Sequence, residues 1–377
     1  MANSRSIFED VTTTTPANPA PPPRRLDEMP ARRAIARWLG VLFLLVLAMI
    51  VVGGLTRLTD SGLSITEWKP LTGAIPPLSA EMWAIEFDKY RTIPEYQLQN
   101  RGMTLGEFQT IYWWEWGHRQ LGRVIGLVWA VGFVWFLARR KIPRGWTPRL
   151  LGIGALGGLQ GAIGWWMVSS GLDGTMLDVA SYRLATHLGL AFVILGLIAW
   201  YIFRLNRREA ELLQARRQRV VPLVRLSGIL AALTFVQILM GALVAGIDAG
   251  RSYTDWPLMA GQVFPPDAFV LEPAWTNFLQ NPGLVQFNHR ILAYIVAAFG
   301  LFVWLRARKS SLRKVQASFN MMASMLALQI VLGIVTVIYG APWYFAILHQ
   351  LLAVGLWVGV LRARFSAAYP VMQSVRG

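Results

Sequence analysis

Residues 34–55 read AIARWLGVLFLLVLAMIVVGGL, an apolar stretch interrupted by one charged side chain, that of Arg37. As an α-helix this stretch is about 33 Å long, which is enough to cross a hydrocarbon core of roughly 30 Å. It is too long for the apolar region of a secretory signal, and no small-residue cleavage site follows it. We therefore interpret it as the first of several membrane-spanning helices.

Further apolar blocks of similar length follow along the chain. Of its 377 residues, 55% are hydrophobic and only 15% are charged, a balance that a soluble domain of this size does not show. The sequence therefore predicts an all-α integral membrane protein with eight transmembrane helices. The seven later spans are predicted at about 111–138, 150–168, 184–203, 226–247, 287–305, 317–338 and 343–361.

The formal net charge of +16 does not indicate a nucleic-acid partner, because the basic residues are spread over short connections between spans. Arginine and lysine lie before the first span and in every second connection. Positive charge of this kind marks the cytoplasmic side of a membrane protein. We therefore expect a multi-pass protein in contact with the lipid bilayer, with both termini in the cytoplasm and no nucleic-acid partner.

The two long outer connections, at about 56–110 and 248–286, repeat one another. The following residues pair at a constant offset of 188: Gly53 with Gly241, Leu55 with Leu243, Asp60 with Asp248, Gly62 with Gly250, Ser64 with Ser252, Trp68 with Trp256, Gly73 with Gly261 and Pro77 with Pro265. Because the repeat unit contains an even number of spans, both copies enter the membrane in the same direction. The pseudo-twofold axis that relates them should run along the membrane normal.

The repeat defines the expected domain organisation. Two four-helix halves, residues 34–205 and 226–365, are predicted to form two pseudo-twofold-related bundles. They are joined by a basic cytoplasmic linker, residues 206–225. Residues 1–33 are predicted to be a disordered cytoplasmic tail, because they are rich in threonine and proline and nearly free of apolar residues, and residues 366–377 a second cytoplasmic tail.

The chain has four histidines, each near the outer end of an even-numbered span and two in each half: His118, His187, His289 and His349. Two imidazoles that project inward from facing helices can ligate a haem iron from both sides. A capped or interfacial histidine explains any one of them, but explains four equivalent positions poorly. Zinc is disfavoured because no carboxylate or thiol completes a ligand set in both halves. The absence of cysteine excludes thiolate ligation of haem, Fe–S clusters and disulfides in this chain.

Glu115 precedes His118 by three positions, in Trp113-Trp114-Glu115-Trp116-Gly117-His118, so the two side chains are expected on one face of a helix. A carboxylate there can accept a proton, orient the imidazole or stabilise a cationic intermediate. The alternative is a solvated glutamate beside an aromatic belt. The second half has Gln286 at the equivalent place, and this asymmetry suggests that the two halves have different tasks.

Arg119 and Arg290 directly follow a histidine in each half. They can pair with the carboxylates of a haem, or simply extend to the membrane interface. Gln160 and Gln329 each lie four residues before a glycine in corresponding spans. Hydrogen bonds across helices and plain packing explain these glutamines equally well.

These motifs resemble those of the haem A synthase family, over about residues 35–365. Some members of that family carry a cysteine pair in the first outer loop, so this chain is similar to the cysteine-free, proteobacterial and mitochondrial-like branch. The resemblance rests on the following motifs: Gly53-Gly54-Leu55-Thr56-Arg57-Leu58, Ser61-Gly62-Leu63-Ser64, Glu67-Trp68, Trp113-Trp114-Glu115-Trp116-Gly117-His118-Arg119, Ala185-Thr186-His187-Leu188, Phe287-Asn288-His289-Arg290 and Leu348-His349-Gln350.

The resemblance implies an enzyme of the bacterial inner membrane that oxidises the C8 methyl group of haem O to a formyl group by successive hydroxylations. The product, haem A, serves terminal oxidases. The resemblance also implies that His118 and His187 frame the haem O site, that Glu115 takes part in the oxidation, and that His289 and His349 bind a haem b cofactor. A haem O synthase and an unidentified electron donor are the implied partners, and a homo-oligomer is left open.

Two other functions use the same features. A di-haem b electron-transfer protein, such as a quinol or cytochrome oxidoreductase, would keep two permanent haems, and the Glu115/Gln286 asymmetry speaks weakly against it. A transporter built on parallel repeats is disfavoured, because no span is interrupted at the membrane midplane and ionisable residues there are scarce. The enzyme hypothesis carries one tension, since an iron with two histidine ligands has no open position for O₂. Either His118 or His187 leaves the iron during turnover, or the oxygen comes from another source such as water.

Overall fold

The structure is a computed structural model that describes residues 28–174 and 176–371. Over these residues the chain is helical and contains no β-strand. Within these described ranges eight helices are long and apolar enough to cross a membrane, which confirms the predicted class and the predicted number of spans. They are α1 (Met29–Leu58), α2 (Leu105–Ala138), α3 (Thr147–Leu172), α4 (Ser181–Leu205), α5 (Val221–Gly246), α6 (Pro282–Ala307), α7 (Arg313–Ile338) and α8 (Trp343–Ala368).

Most of these helices extend beyond the apolar block that predicts them, and several begin at a capping motif or a proline, which hydropathy does not register. The start of α2 shows this most clearly. The hydroxyl of Thr104 accepts a hydrogen bond from the main-chain N–H of Glu107 at 3.3 Å, and the Glu107 carboxylate accepts one from the N–H of Thr104 at 2.7 Å. This capping box starts the helix in polar surroundings, about two turns before its apolar part begins.

The ends of the predicted segments change accordingly. Residues 29–33, predicted as part of the tail, belong to α1, and residues 1–27 and 372–377 of the two predicted tails lie outside the described residues. The predicted linker 206–225 contains a short helix, Glu209–Arg217, and its last five residues already belong to α5. Pro222 starts α5 because proline is well suited to the first turn of a helix, although Arg225 interrupts the apolar pattern there.

Corresponding helices of the two predicted halves pack in the same way. In the first half α1 packs against α2 and α4, and α3 packs against α4. In the second half α5 packs against α6 and α8, and α7 packs against α8. The halves meet where α4 contacts α5 and α8, and where α1 contacts α8. The indole N–H of Trp357 on α8 crosses this boundary and donates to the main-chain oxygen of Phe192 on α4 at 3.0 Å.

The outer connection of the first half forms a small core of its own over the ends of α2 and α3. It contains two short helices, Ala80–Tyr90 and Pro94–Leu98, and stacks the ring of Phe87 on that of Phe108 with centroids 4.9 Å apart.

The backbone conformation of the repeat also matches between the halves: Asp60 and Asp248 have φ angles of 48° and 50°. Aspartate is among the few residues that enter this left-handed region readily. The pseudo-twofold axis itself stays a prediction.

Candidate haem-binding sites

Each of the four histidines lies against a glycine of the preceding helix. A Cβ atom added to any of these glycines would lie 2.8 to 3.2 Å from the nearest atom of the imidazole ring. Any larger residue would therefore displace the ring, so the glycines let an imidazole lie between two helices. The pairs are Gly53 (α1) with His118 (α2), Gly164 (α3) with His187 (α4), Gly241 (α5) with His289 (α6), and Gly333 (α7) with His349 (α8).

Three of the histidines also contact a glutamine, one helical turn before the glycine. The side-chain N–H groups of Gln160, Gln237 and Gln329 donate to the main-chain oxygens of His187, His289 and His349 at 2.9, 3.0 and 3.2 Å, respectively. The same amide nitrogens lie 3.0 to 3.3 Å from both ring nitrogens of those histidines. We call this arrangement the glutamine clamp. It decides between the two explanations of Gln160 and Gln329 in favour of hydrogen bonding across helices.

Sequence reasoning missed Gln237 as a site residue. The signal was present, because Gln237 precedes Gly241 by four residues, as Gln160 precedes Gly164 and Gln329 precedes Gly333. Gln160 and Gln329 occupy the third span of each half, so the internal repeat pairs them, whereas Gln237 lies in the first span of the second half and has no glutamine as its counterpart.

The glutamine clamps leave a polar group unsatisfied. The amide oxygens of Gln160, Gln237 and Gln329 are buried and accept no hydrogen bond from any residue that the structure describes. A buried acceptor without a donor is unfavourable by about 1–3 kcal/mol. An imidazole that binds iron through Nε2 carries a hydrogen on Nδ1, which is the kind of donor that such an oxygen needs. The residues around these three histidines therefore fit a haem-ligating role.

Glu115 contacts the outer connection of the first half and not the histidine. Its side chain is 2% exposed. One carboxylate oxygen accepts from the hydroxyl of Ser64 and from the main-chain N–H of Ile65, both at 2.7 Å. The other accepts from Nη2 of Arg119 at 2.6 Å and from its Nε at 3.1 Å. Over the described residues Glu115 makes no hydrogen bond to His118, so the expected common face does not bring the two side chains together.

Arg119 and Arg290 hold the two outer connections in the same way. Each guanidinium donates to two main-chain oxygens, and these oxygens occupy equivalent positions in the internal repeat. In the second half Gln286, the counterpart of Glu115, adds a further bond. The bonds run from Arg119 to Ile65 at 2.8 Å and to Glu67 at 3.0 Å, from Arg290 to Tyr253 at 2.8 Å and to Asp255 at 2.9 Å, and from Gln286 to Tyr253 at 3.0 Å. The internal repeat thus extends from the sequence to individual hydrogen bonds.

Arg57 connects the two halves near their outer ends, and sequence reasoning assigned it no separate role. From the end of α1 it donates to Asp178 of the first half at 3.4 Å and to Asp248 of the second at 2.9 Å. Its side chain is 12% exposed, so these ion pairs are only partly screened by water. The counterpart of Arg57 in the second half is Ala245, which cannot form such a bridge.

Comparison with known proteins gives a consistent result. Residues 36–361 match the sequence profile of the family described as Cytochrome oxidase assembly protein. The chain is 64% identical to a Heme A synthase of Dinoroseobacter shibae, covering 100% of this chain and 99% of that protein. It is 62% identical to a Heme A synthase of Ruegeria pomeroyi, covering 100% of both, and 57% identical to one of Paracoccus denitrificans, covering 99% of this chain and 98% of that protein. The chain therefore belongs to the haem A synthase family of cytochrome oxidase assembly proteins.

Proposed function

We propose that the two halves of this haem A synthase have different tasks: the first binds and oxidises haem O, and the second holds a haem b cofactor. The enzyme is an oxidoreductase that converts haem O to haem A by oxidising the C8 methyl group to a formyl group. The observation that carries the division of tasks is the equivalent setting of the histidines in both halves, combined with the replacement of Glu115 by Gln286.

His118 and His187 frame the haem O site in this proposal. Oxidation of a methyl to a formyl group removes hydrogen and adds oxygen, so protons have to leave the reacting carbon. A carboxylate accepts protons, whereas the amide of Gln286 does not. Glu115 is therefore assigned to the oxidation, although its carboxylate must first exchange a contact with Arg119 or Ser64. This requirement makes the outer connection of the first half part of the mechanism.

His289 and His349 would hold haem b, which supplies one-electron transfer when it is bound. Gln237 and Gln329 would orient the two rings through their clamps. Arg290 supports the assignment in a second way, because its Nε–H is buried and has no acceptor in the part of the chain that the structure describes. That donor is available for a haem carboxylate, and Arg119 is assigned the corresponding position at haem O.

We place the enzyme in the bacterial inner membrane with both termini in the cytoplasm. The support is the position of the basic segment between α4 and α5, which carries Arg207 and Arg208 next to the helix Glu209–Arg217. The two long connections with the histidine ends of the helices then face outward. A haem O synthase supplies the substrate, and an electron donor or acceptor of unassigned identity completes the reaction.

Single alanine variants of the four histidines test the division of tasks, with the haem types in each purified variant as the readout. His289→Ala and His349→Ala are expected to lose haem B, whereas His118→Ala and His187→Ala should retain it and lose bound haem O. Thr110→Ala is a suitable control, because its exposed hydroxyl bonds only to Gly106 of its own helix. A normal haem b spectrum in His289→Ala or His349→Ala would refute the assignment.

A further inference from the structure

One of the four histidine settings differs from the other three. At the offset of 188 that relates the halves, the counterpart of Gln237 on α5 is Met49 on α1. The side chain of Met49 points to α2, where its Cε atom lies 3.5 Å from the place that a Cβ on Gly122 would occupy. Gly122 is one helical turn after His118, so Met49 occupies the place of a clamp without being able to form one. A thioether has no hydrogen to donate and is a weak acceptor.

The ring of His118 is oriented differently from the other three. In His187, His289 and His349 the atom nearest to the neighbouring glycine is Cε1, at 2.8, 3.2 and 2.9 Å from a Cβ placed there. In His118 the nearest atom is Nε2, at 3.1 Å. Throughout the described ranges, 28–174 and 176–371, no residue hydrogen-bonds to the His118 ring. The missing glutamine thus coincides with a ring whose orientation is not fixed in the common way.

We propose that Gln160, Gln237 and Gln329 are positioning residues that hold three imidazoles for iron, and that Met49 makes His118 the one ligand that leaves the iron. The inference rests on the proposed function. It follows from the number of clamps in each half: two in the second half, which has to keep its haem, and one in the first half. The first half has to take up haem O and release haem A in every turnover, and a ligand that dissociates readily serves this exchange.

The expected size of the effect comes from the behaviour of metal-binding histidines in general. Removing a hydrogen-bond partner of a ligating imidazole typically weakens metal binding by about 10–100-fold. In a clamp the bond to the main-chain oxygen holds the amide against the imidazole, so rotation of the ring away from a bound iron would break the contact between ring and amide. The ring of His118 could rotate without breaking such a contact, which would free a ligand position for exchange at haem O.

Carbon monoxide tests the proposal, because it binds ferrous haem only after one of two histidine ligands has left. The probe is applied to dithionite-reduced protein purified from cells that co-express a haem O synthase, and the CO difference spectrum is followed in time. The native protein should bind CO at haem O and not at haem b. Met49→Gln supplies the missing amide and is expected to slow CO binding by at least about tenfold. Met49→Leu, which changes the shape without adding an amide, should bind CO at the native rate.

The reverse substitution, Gln237→Met, provides a second test in case Met49→Gln does not fold. Gln237→Met removes a clamp from the second half and is expected to let haem b bind CO, with loss of haem B to excess apomyoglobin accelerated by about 10–100-fold. Native CO kinetics in Met49→Gln, or native haem B retention in Gln237→Met, would overturn the role of the clamps.

These readouts separate this inference from the proposed function. A native chain that makes no haem A, combined with slowed CO binding in Met49→Gln, would refute the function and support the clamps. Haem A production by the native chain, combined with unchanged CO kinetics in Met49→Gln, would refute the clamps alone.

Discussion

At the residue scale, the chemistry that we propose for the first half centres on Glu115. The hydroxyl of Ser64, the N–H of Ile65 and the guanidinium of Arg119 all donate to its carboxylate. These contacts of the Glu115 carboxylate have a structural and a chemical consequence. The carboxylate fixes the outer connection to α2, and it is an ionisable group close in sequence to a candidate ligand of haem O. The matching position in the second half, Gln286, keeps the structural contact to Tyr253 without the charge.

Replacing Glu115 separates these two consequences. Glu115→Gln keeps one oxygen that can accept from Ser64 and Ile65 but removes the negative charge beside Arg119, whereas Glu115→Ala removes the oxygen and the charge. We expect both variants to retain haem b and to stop the formation of haem A. We expect both to lose stability and Glu115→Ala to lose more, by roughly 3 kcal/mol, because Arg119 is largely buried and loses its carboxylate partner. Haem analysis of membranes and thermal unfolding of the purified proteins are the measurements. Haem A at the native level in Glu115→Gln would remove the carboxylate from the mechanism.

The residues of the site were predictable to different degrees. Glycine, histidine and arginine positions repeat between the halves and could be identified from spacing alone. The contacts of Glu115 could not, because Ser64 and Ile65 lie 51 and 50 residues away in an irregular connection without periodicity. Gln237 could be identified from its spacing to Gly241. The position of Met49 has a meaning only once the contacts of the glutamines are known.

At the scale of single elements, the short helix Pro94–Leu98 buries a carboxyl group outside the membrane. The pKa of Glu95 is raised to about 8 from an ordinary value of 4.5, chiefly by burial and also by repulsion from Asp178 and Asp60, while a hydrogen bond from Tyr90 lowers it. Between these two pH values the folded protein keeps a proton that the unfolded chain has released. Stability therefore falls as the pH rises from about 4.5 to about 8, and depends little on this group above that range.

We expect the melting temperature of the detergent-solubilised protein to decrease over that pH range and Glu95→Gln to flatten the decrease. The total change attributable to this group is on the order of 2–5 kcal/mol. Intrinsic tryptophan fluorescence during heating measures it at a series of pH values. Glu81→Gln is the matched control, because Glu81 lies in the same outer connection with an exposed side chain. An unchanged slope in Glu95→Gln would show that another group controls the pH dependence.

The elements themselves were largely predictable, since hydropathy located all eight spans. The ends were not, because a capping box at Thr104 and a proline such as Pro222 start helices in polar surroundings where hydropathy gives no signal. At these two starts the helix begins about one to two turns before the predicted span.

At the scale of the whole molecule, the duplicated halves are similar in fold and different in charge. The arginine contacts to the outer connections recur in both halves, whereas Glu115, Met49 and Arg57 each occur in the first half only. Arg57 reaches Asp248 of the second half, so the outer ends of the two halves are held together next to the candidate haem sites. In the proposed function such a connection would keep haem b and haem O in a fixed relation, as electron transfer between a cofactor and a substrate requires.

The proposed function is best tested by chromatography of the haems extracted from a host that lacks haem A and expresses this chain together with a haem O synthase. We expect haem A, with its hydroxylated intermediate, only when this chain is present. Unconverted haem O, with about two molecules of haem B bound to each purified chain, would refute the proposed function and support a di-haem electron-transfer protein.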